Sequence, residues 1–313
     1  MIDEYALIPD VFDPSAYSNP DRIEMCLPHL REALYREAVI RDLGNGHWSA
    51  YCLSRDQSGT ARFHRLAAEL LRKLASGNRL HPFRQMSATE PSDSEGWCRE
   101  ALQTHTESRL TGVIAAHRSK QQFSDDIVGS IERLTSCEWW QSRSCSILLD
   151  RKTDAYLDTL RTLLQCANSF IFIDPNLDPT SNNYSEFHRL LSPLARRKPP
   201  PRIELHRSFC LGDGKARTFP KEPEWRQRFR SLDDELQRLG LSAEVYFWQD
   251  FHARYLITDL IGLVAEAGFD ATATPNDLTT WARLGRDDRN RIQGLYDPTN
   301  VGRLKYHFRI GIA

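Results

Sequence analysis

The chain has 313 residues, with 40% hydrophobic and 27% charged side chains and a formal net charge of −1. That suffices for one large domain or two ordinary ones. It excludes a protein drawn to nucleic acid or membrane by bulk charge, so any basic surface must be local. The seven cysteines (Cys26, Cys52, Cys98, Cys137, Cys145, Cys166 and Cys210) are scattered and form no C-x-x-C pair. Neither a disulfide framework nor a zinc cluster is expected, and a reducing cytoplasm is the simpler setting. Met1 to Tyr5 lack the basic and apolar regions of a signal peptide. No apolar run approaches the roughly 18 residues that span a bilayer.

Residues 1–143 read as a mainly helical domain. Phe63, Leu66, Leu70, Leu71 and Leu74 recur at helical spacing, with Gly77 as the stop. Segment 98–117 and segment 125–134 are further helical candidates, and the polar stretch 87–96 that precedes them is a loop. Trp139 and Trp140 could stack bases, but core packing is the preferred reading. This half carries no recognisable catalytic motif.

From residue 144 the rhythm changes to alternating strands and helices. Strands are expected at 145–149, 170–173 and 203–206. Amphipathic helices are expected at 153–168 and 184–191, then from Trp225 to Leu239 with Gly240 as the stop. Three strand-like runs follow at 243–248, 251–258 and 261–266, then a helical stretch at 277–293 and a last strand at 304–310. This predicts an α/β domain over 144–313, with a mixed, mostly parallel sheet flanked by helices.

Phe251-His252-Ala253-Arg254-Tyr255-Leu256-Ile257-Thr258-Asp259 reads His-x-Arg-x4-Asp. Two residues apart on a strand, His252 and Arg254 would share a face. A guanidinium orients phosphate oxygens through its planar fork, and an imidazole can attack phosphorus or protonate a leaving oxygen. Asp259 lies at odd spacing from His252 and is expected at the strand end, supporting the motif. Glu266 would approach His252 if the two runs form a hairpin and could orient the imidazole; a surface role is the preferred reading. Lys305, His307 and Arg309 fall on one face of the last strand, as a supplementary phosphate stripe or a solvated edge. Asp174-Pro175-Asn176 follows a core strand at the end where open α/β sheets gather ligands, but a cap and turn is the preferred reading. The Gly212–Lys215 run lacks phosphate-loop spacing. The histidines show no metal-ligand spacing.

The motif resembles the His-x-Lys-x4-Asp signature of the phospholipase D superfamily, with Arg254 in the Lys position. The strand–helix order of 144–313 resembles one half of that fold. The motif occurs once, and Gly268-Phe269-Asp270 stands near where the family carries Gly-Ser-x-Asn. The resemblance implies a phosphodiesterase, foremost a nuclease acting on DNA or RNA through a phospho-histidine on His252. It implies no metal and no cofactor, and a homodimer that pairs two His252 side chains. It equally admits a non-catalytic binder of phosphate or phospholipid headgroups, or a subunit of a larger assembly such as a bacterial defence system.

Overall fold

The computed structural model describes residues 1–54, 61–212, 214–249, 251–300 and 302–312; the side chains of 61–64, including Phe63, and residue Asp213 lie outside the described set. The chain divides into two compact units, Ile2–Ser144 and Cys145–Ala313, with Met1 belonging to the second. Both are α/β. No helix among the described residues is long and apolar enough to cross a membrane.

The first unit contains β1 (Asp3–Leu7), α1 (Ile23–Glu37), β2 (Ala38–Asp42), α2 (His47–Ser54), α3 (Ala61–Ser76) and β3 (Leu80–Pro82). It continues with α4 (Ser94–Glu107), β4 (Gly112–Ala115), α5 (His117–Lys120), β5 (Val128–Ser130) and α6 (Glu138–Gln141). The strands form one sheet in the order β3-β2-β1-β4-β5, and every pairing is parallel. Helix is abundant here, but the centre of the unit is this sheet, which the helical expectation omits. Segments 98–117 and 125–134 each contain a strand rather than one continuous helix. The reason is physical. Strands buried on both faces are short unbroken apolar runs, which carry no period to distinguish them from helix. Trp139 and Trp140 pack within 6 Å of the Tyr5 ring, so they serve the core as expected.

The second unit contains β6 (Ser146–Asp150), α7 (Thr153–Cys166), β7 (Ser169–Ile173), α8 (Phe187–Leu191), β8 (Arg202–Ser208), α9 (Glu222–Arg228) and α10 (Arg230–Leu239). It ends with β9 (Ser242–Trp248), β10 (Tyr255–Thr258), β11 (Gly262–Ala265), β12 (Leu278–Arg283), α11 (Arg286–Leu295) and β13 (Leu304–Gly311). The sheet order is β13-β9-β8-β7-β10-β11-β12-β6. Only the β7–β8 and β8–β9 pairings are parallel; the rest are antiparallel. The sheet is therefore mixed, and the mostly parallel sheet belongs to the first unit. The expected helix over 277–293 splits, because its first part is β12. Thr279, Thr280 and Trp281 pair with β6, and Trp281 is fully buried with its ring stacked on Tyr156 at 4.8 Å. β-Branched and aromatic side chains suit that pleated, covered surface.

α10 stops at Gly240 in the left-handed conformation, as its sequence predicts. Buried polar groups lock β8 to β9. The Trp248 indole N–H donates to His206 Nδ1 at 2.9 Å. His206 Nε2 therefore carries the proton and donates to Glu204 at 2.9 Å. Burial pushes the His206 imidazole pKa down, which suits this neutral form.

Candidate functional site

β7 and β8 pair in parallel as far as Ile173 and His206, β8 running on to Ser208, while β10 begins opposite Ile173 at Tyr255. Three chain segments therefore meet beyond this edge: the turn after β7, the loop after β8 and the approach to β10. They enclose a cavity of about 410 Å³ whose lining includes Asn176, Asp178, Ser181, Arg207, Arg217, His252 and Arg254. It lies outside the carboxyl ends of two parallel strands, where open α/β sheets gather ligands.

His252 and Arg254 line the same cavity, but not because a strand alternates them. β10 starts at Tyr255, so both precede it in irregular chain. The His252 ring is exposed and makes no hydrogen bond among the described residues. Arg254 is held. Its Nη1 donates to the Glu266 carbonyl at 3.3 Å, and its Nε lies 3.7 Å from Asp174 Oδ1. Gly268 makes that approach possible. Its φ is +81°, and a Cβ there would sit 2.1 Å from Asp174 Oδ2 and 2.9 Å from Arg254 Cδ. Only glycine tolerates both the backbone conformation and the space.

Asp174 is the fixed point beneath Arg254. It is fully buried and accepts hydrogen bonds from the Asn176 N–H at 3.0 Å, the Tyr184 hydroxyl at 2.8 Å and the Phe269 N–H at 3.1 Å. Burial raises its pKa, and these bonds together with Arg254 oppose the rise. Its turn bond to Asn176 matches the sequence expectation. Its grip on Arg254 and on the Gly268-Phe269 backbone goes beyond a turn.

Arg207 is the residue sequence reasoning missed. It is 2% exposed, on the cavity wall. Its Nε donates to the Ser208 carbonyl at 2.7 Å, Nη1 to Leu177 at 3.0 Å, and Nη2 to Pro175 at 3.3 Å and Cys210 at 3.0 Å. The guanidinium also lies 4.0 Å over the Trp225 ring. All four acceptors are neutral, and no carboxylate reaches ion-pair distance among the described residues. Burial pushes its pKa down to about 10. The Asp178 and Asp174 carboxylates oppose that fall without reaching ion-pair distance, so the buried charge has no counterion in direct contact, and an anion in the cavity would add one. The one available signal is an arginine set inside the otherwise strand-like run 203–208.

The other expected site residues lie elsewhere. Asp259 is beyond the far end of β10, where its carboxylate accepts from the Asn168 N–H at 2.9 Å and the Ser169 N–H at 3.4 Å. It steadies the start of β7, at the opposite end of the strands from the cavity. The Glu266 carboxylate turns to the Thr280 N–H at 3.3 Å, and only its backbone carbonyl serves the site, through Arg254. The basic face of β13 is not a free phosphate stripe. His307 bonds Glu244 at 2.6 Å, and Arg309 bonds Ser242 at 2.9 Å and lies 3.7 Å from Glu244. Lys305 projects near the Phe209 ring, 6.0 Å from its centroid. Asp270, in the displaced glycine segment, is paired with Arg151 at 2.5 Å. Among the described residues, no group of three or more His, Cys, Asp or Glu side chains could hold a metal ion.

No family profile matches the chain, and no curated protein matches it. Among solved structures, TrmBL2, an archaeal chromatin protein whose structure is described as showing a novel mode of DNA binding, is similar with a TM-score of 0.29 and 10% identity, over 78% of this chain and 83% of that one. Similarity at that level carries no argument about fold or function.

Proposed function

We propose that the second unit binds a phosphodiester in the Arg207–Arg254 cavity and cleaves it through His252. The observation that carries the reading is Arg207, a buried cation on a cavity wall whose direct partners are all neutral. Arg254 and Arg217 add donors to the same cavity, and guanidinium is the side chain best matched to phosphate oxygens.

In the reaction, an imidazole nitrogen of His252 attacks phosphorus and forms a P–N bond as the P–O bond to the leaving alcohol breaks. The leaving oxygen takes a proton from a general acid. Water then attacks the phospho-histidine, releasing a phosphomonoester and restoring the imidazole. The guanidinium groups offset the charge that builds on the phosphoryl oxygens. His252 is the one imidazole among the cavity's lining residues. A second copy of the chain would supply the acid, its own His252, across a two-fold axis.

A second reading, binding without turnover, draws on the His252 ring itself. Catalytic imidazoles are commonly held by a carboxylate or carbonyl, and this one has no such partner among the described residues. The two readings part in one experiment: wild type and His252→Ala on labelled single- and double-stranded DNA and RNA in EDTA, with the oligomer mass recorded. Cleavage by a wild-type dimer that disappears in the variant supports the nuclease. Binding without cleavage by the folded wild type supports the binder.

A further inference from the structure

The cavity opens beside a second, larger recess. This groove, about 790 Å³, is lined by Leu211, Thr218, Phe219, Pro220 and Pro223, with Arg228 and Glu224 at its polar side. Leu211 lines both spaces. The connection is built into the loop after β8. Gly212, at φ +74°, lets the chain turn where a Cβ would meet the Ala216 carbonyl oxygen at 2.8 Å. Leu211 and Thr218 then exchange two backbone hydrogen bonds of 2.9 Å. As a result Arg217 lines the cavity and Phe219 lines the groove, two residues apart, or about 7 Å of extended chain.

Phe219 is 58% exposed, a large apolar ring left in water. It is not loose, because it stacks on Phe209 with centroids 5.1 Å apart and planes 27° from parallel. The prolines beside it add apolar wall that loses little side-chain entropy when covered. A cavity lined by arginines and a backed aromatic shelf are thus neighbours that share Leu211.

We propose that the groove takes a nucleobase of a single-stranded nucleic acid whose adjacent phosphate sits in the Arg254 cavity. The inference rests on the phosphate reading of that cavity and names its substrate class. Base-on-aromatic stacking tolerates any sequence, since every base has a π-face. A base paired in a duplex is stacked on its neighbours and turned away from the protein, so it must be unstacked before it can use the shelf.

The test is fluorescence anisotropy with a labelled oligo(dT) and an abasic oligonucleotide of equal length. The proteins are wild type, Phe219→Ala, Phe219→Trp and Arg254→Ala. Wild type is expected to bind oligo(dT) more tightly than the abasic strand. Phe219→Ala should weaken oligo(dT) binding by roughly 5- to 150-fold, the range of one lost base stack, and leave the abasic strand unchanged. Phe219→Trp should restore the preference. Arg254→Ala should weaken both ligands. If Phe219→Ala leaves oligo(dT) affinity intact while Arg254→Ala lowers both, the base subsite is wrong and the phosphate cavity stands. If Arg254→Ala changes neither, the cavity reading fails and takes the subsite with it. Equal affinity for duplex and single strand would overturn the proposal. So would tighter binding to phosphatidylcholine vesicles doped with phosphatidic acid, lost in Phe219→Ala.

Discussion

Each unit buries an arginine in its sheet, and the two are treated differently. Arg41 in β2 is fully buried, with its Nε 2.8 Å from the Glu4 carboxylate and its Nη1 bonded to Thr104 and the Ser108 carbonyl. Arg207 in β8 is as deeply buried, yet its partners are four carbonyls and a cavity. A buried charge with its counterion beside it is a structural pair. A buried charge with no carboxylate in contact, on the wall of a cavity, is where the proposed phosphate would sit. The same contrast extends to the sheets. The first is parallel throughout. The second breaks its parallel run at β10, and that break brings His252 and Arg254 to the carboxyl edge of β7 and β8.

The largest expected effect breaks the structural half of the comparison. Glu4→Ala leaves Arg41 buried and unpaired, and should cost about 3–5 kcal/mol of stability in urea unfolding of the whole chain. Phosphate affinity of the remaining folded protein should not change. A variant that melts like wild type would remove the distinction between the two arginines.

Gly268→Ala comes next. A left-handed backbone and a methyl group driven into Asp174 should destabilise by more than about 1 kcal/mol and displace Arg254. Thermal unfolding and phosphate titration should therefore both move. A loss of stability with unchanged phosphate affinity would detach Arg254 from the site.

A smaller effect concerns pH. Asp174 has a folded-state pKa raised by burial. Between the ordinary carboxylate value and the raised one, the folded state binds more protons than the unfolded state. Lowering the pH through that window therefore adds to stability from this group, and raising it subtracts. Asp174→Asn should remove that slope from a series of denaturant unfolding curves. An identical pH profile in the variant would show that Asp174 does not titrate in the folded protein.

The smallest effect is expected at His307. Its bond to Glu244 is half-exposed, so His307→Ala should change stability by no more than about 1 kcal/mol and leave phosphate affinity unaltered. A fall in affinity would return the β13 face to the site.

These residues also show how far the fold and the site can be read from sequence. β7, β8, α7 and the Gly240 stop were legible because their apolar patterns are bounded by Pro, Gly or a polar turn. β1, β2, β4 and β5 were not, since buried parallel strands of three to five residues have no alternation to detect. Pairing direction was hidden for β6, which follows the strand-helix-strand pattern in sequence yet joins the sheet beside β12. At the candidate site, a motif singled out His252 and Arg254. Its strand assumption was wrong by four residues, and its Asp259 belongs to the far end of the strands. Arg207 was out of reach, because what distinguishes it is the partners it holds in space, while Asp174 was visible at the ligand-gathering end of its strand but read as a turn.

The most direct test of the central claim is isothermal titration of the intact chain with inorganic phosphate and pyrophosphate, using wild type, His252→Ala and Arg254→Ala. The account predicts saturable binding by wild type and by His252→Ala, and affinity at least about tenfold weaker in Arg254→Ala, as loss of a charge-assisted contact implies. A folded wild type that binds neither anion, or an Arg254→Ala variant that binds them as wild type does, would contradict it.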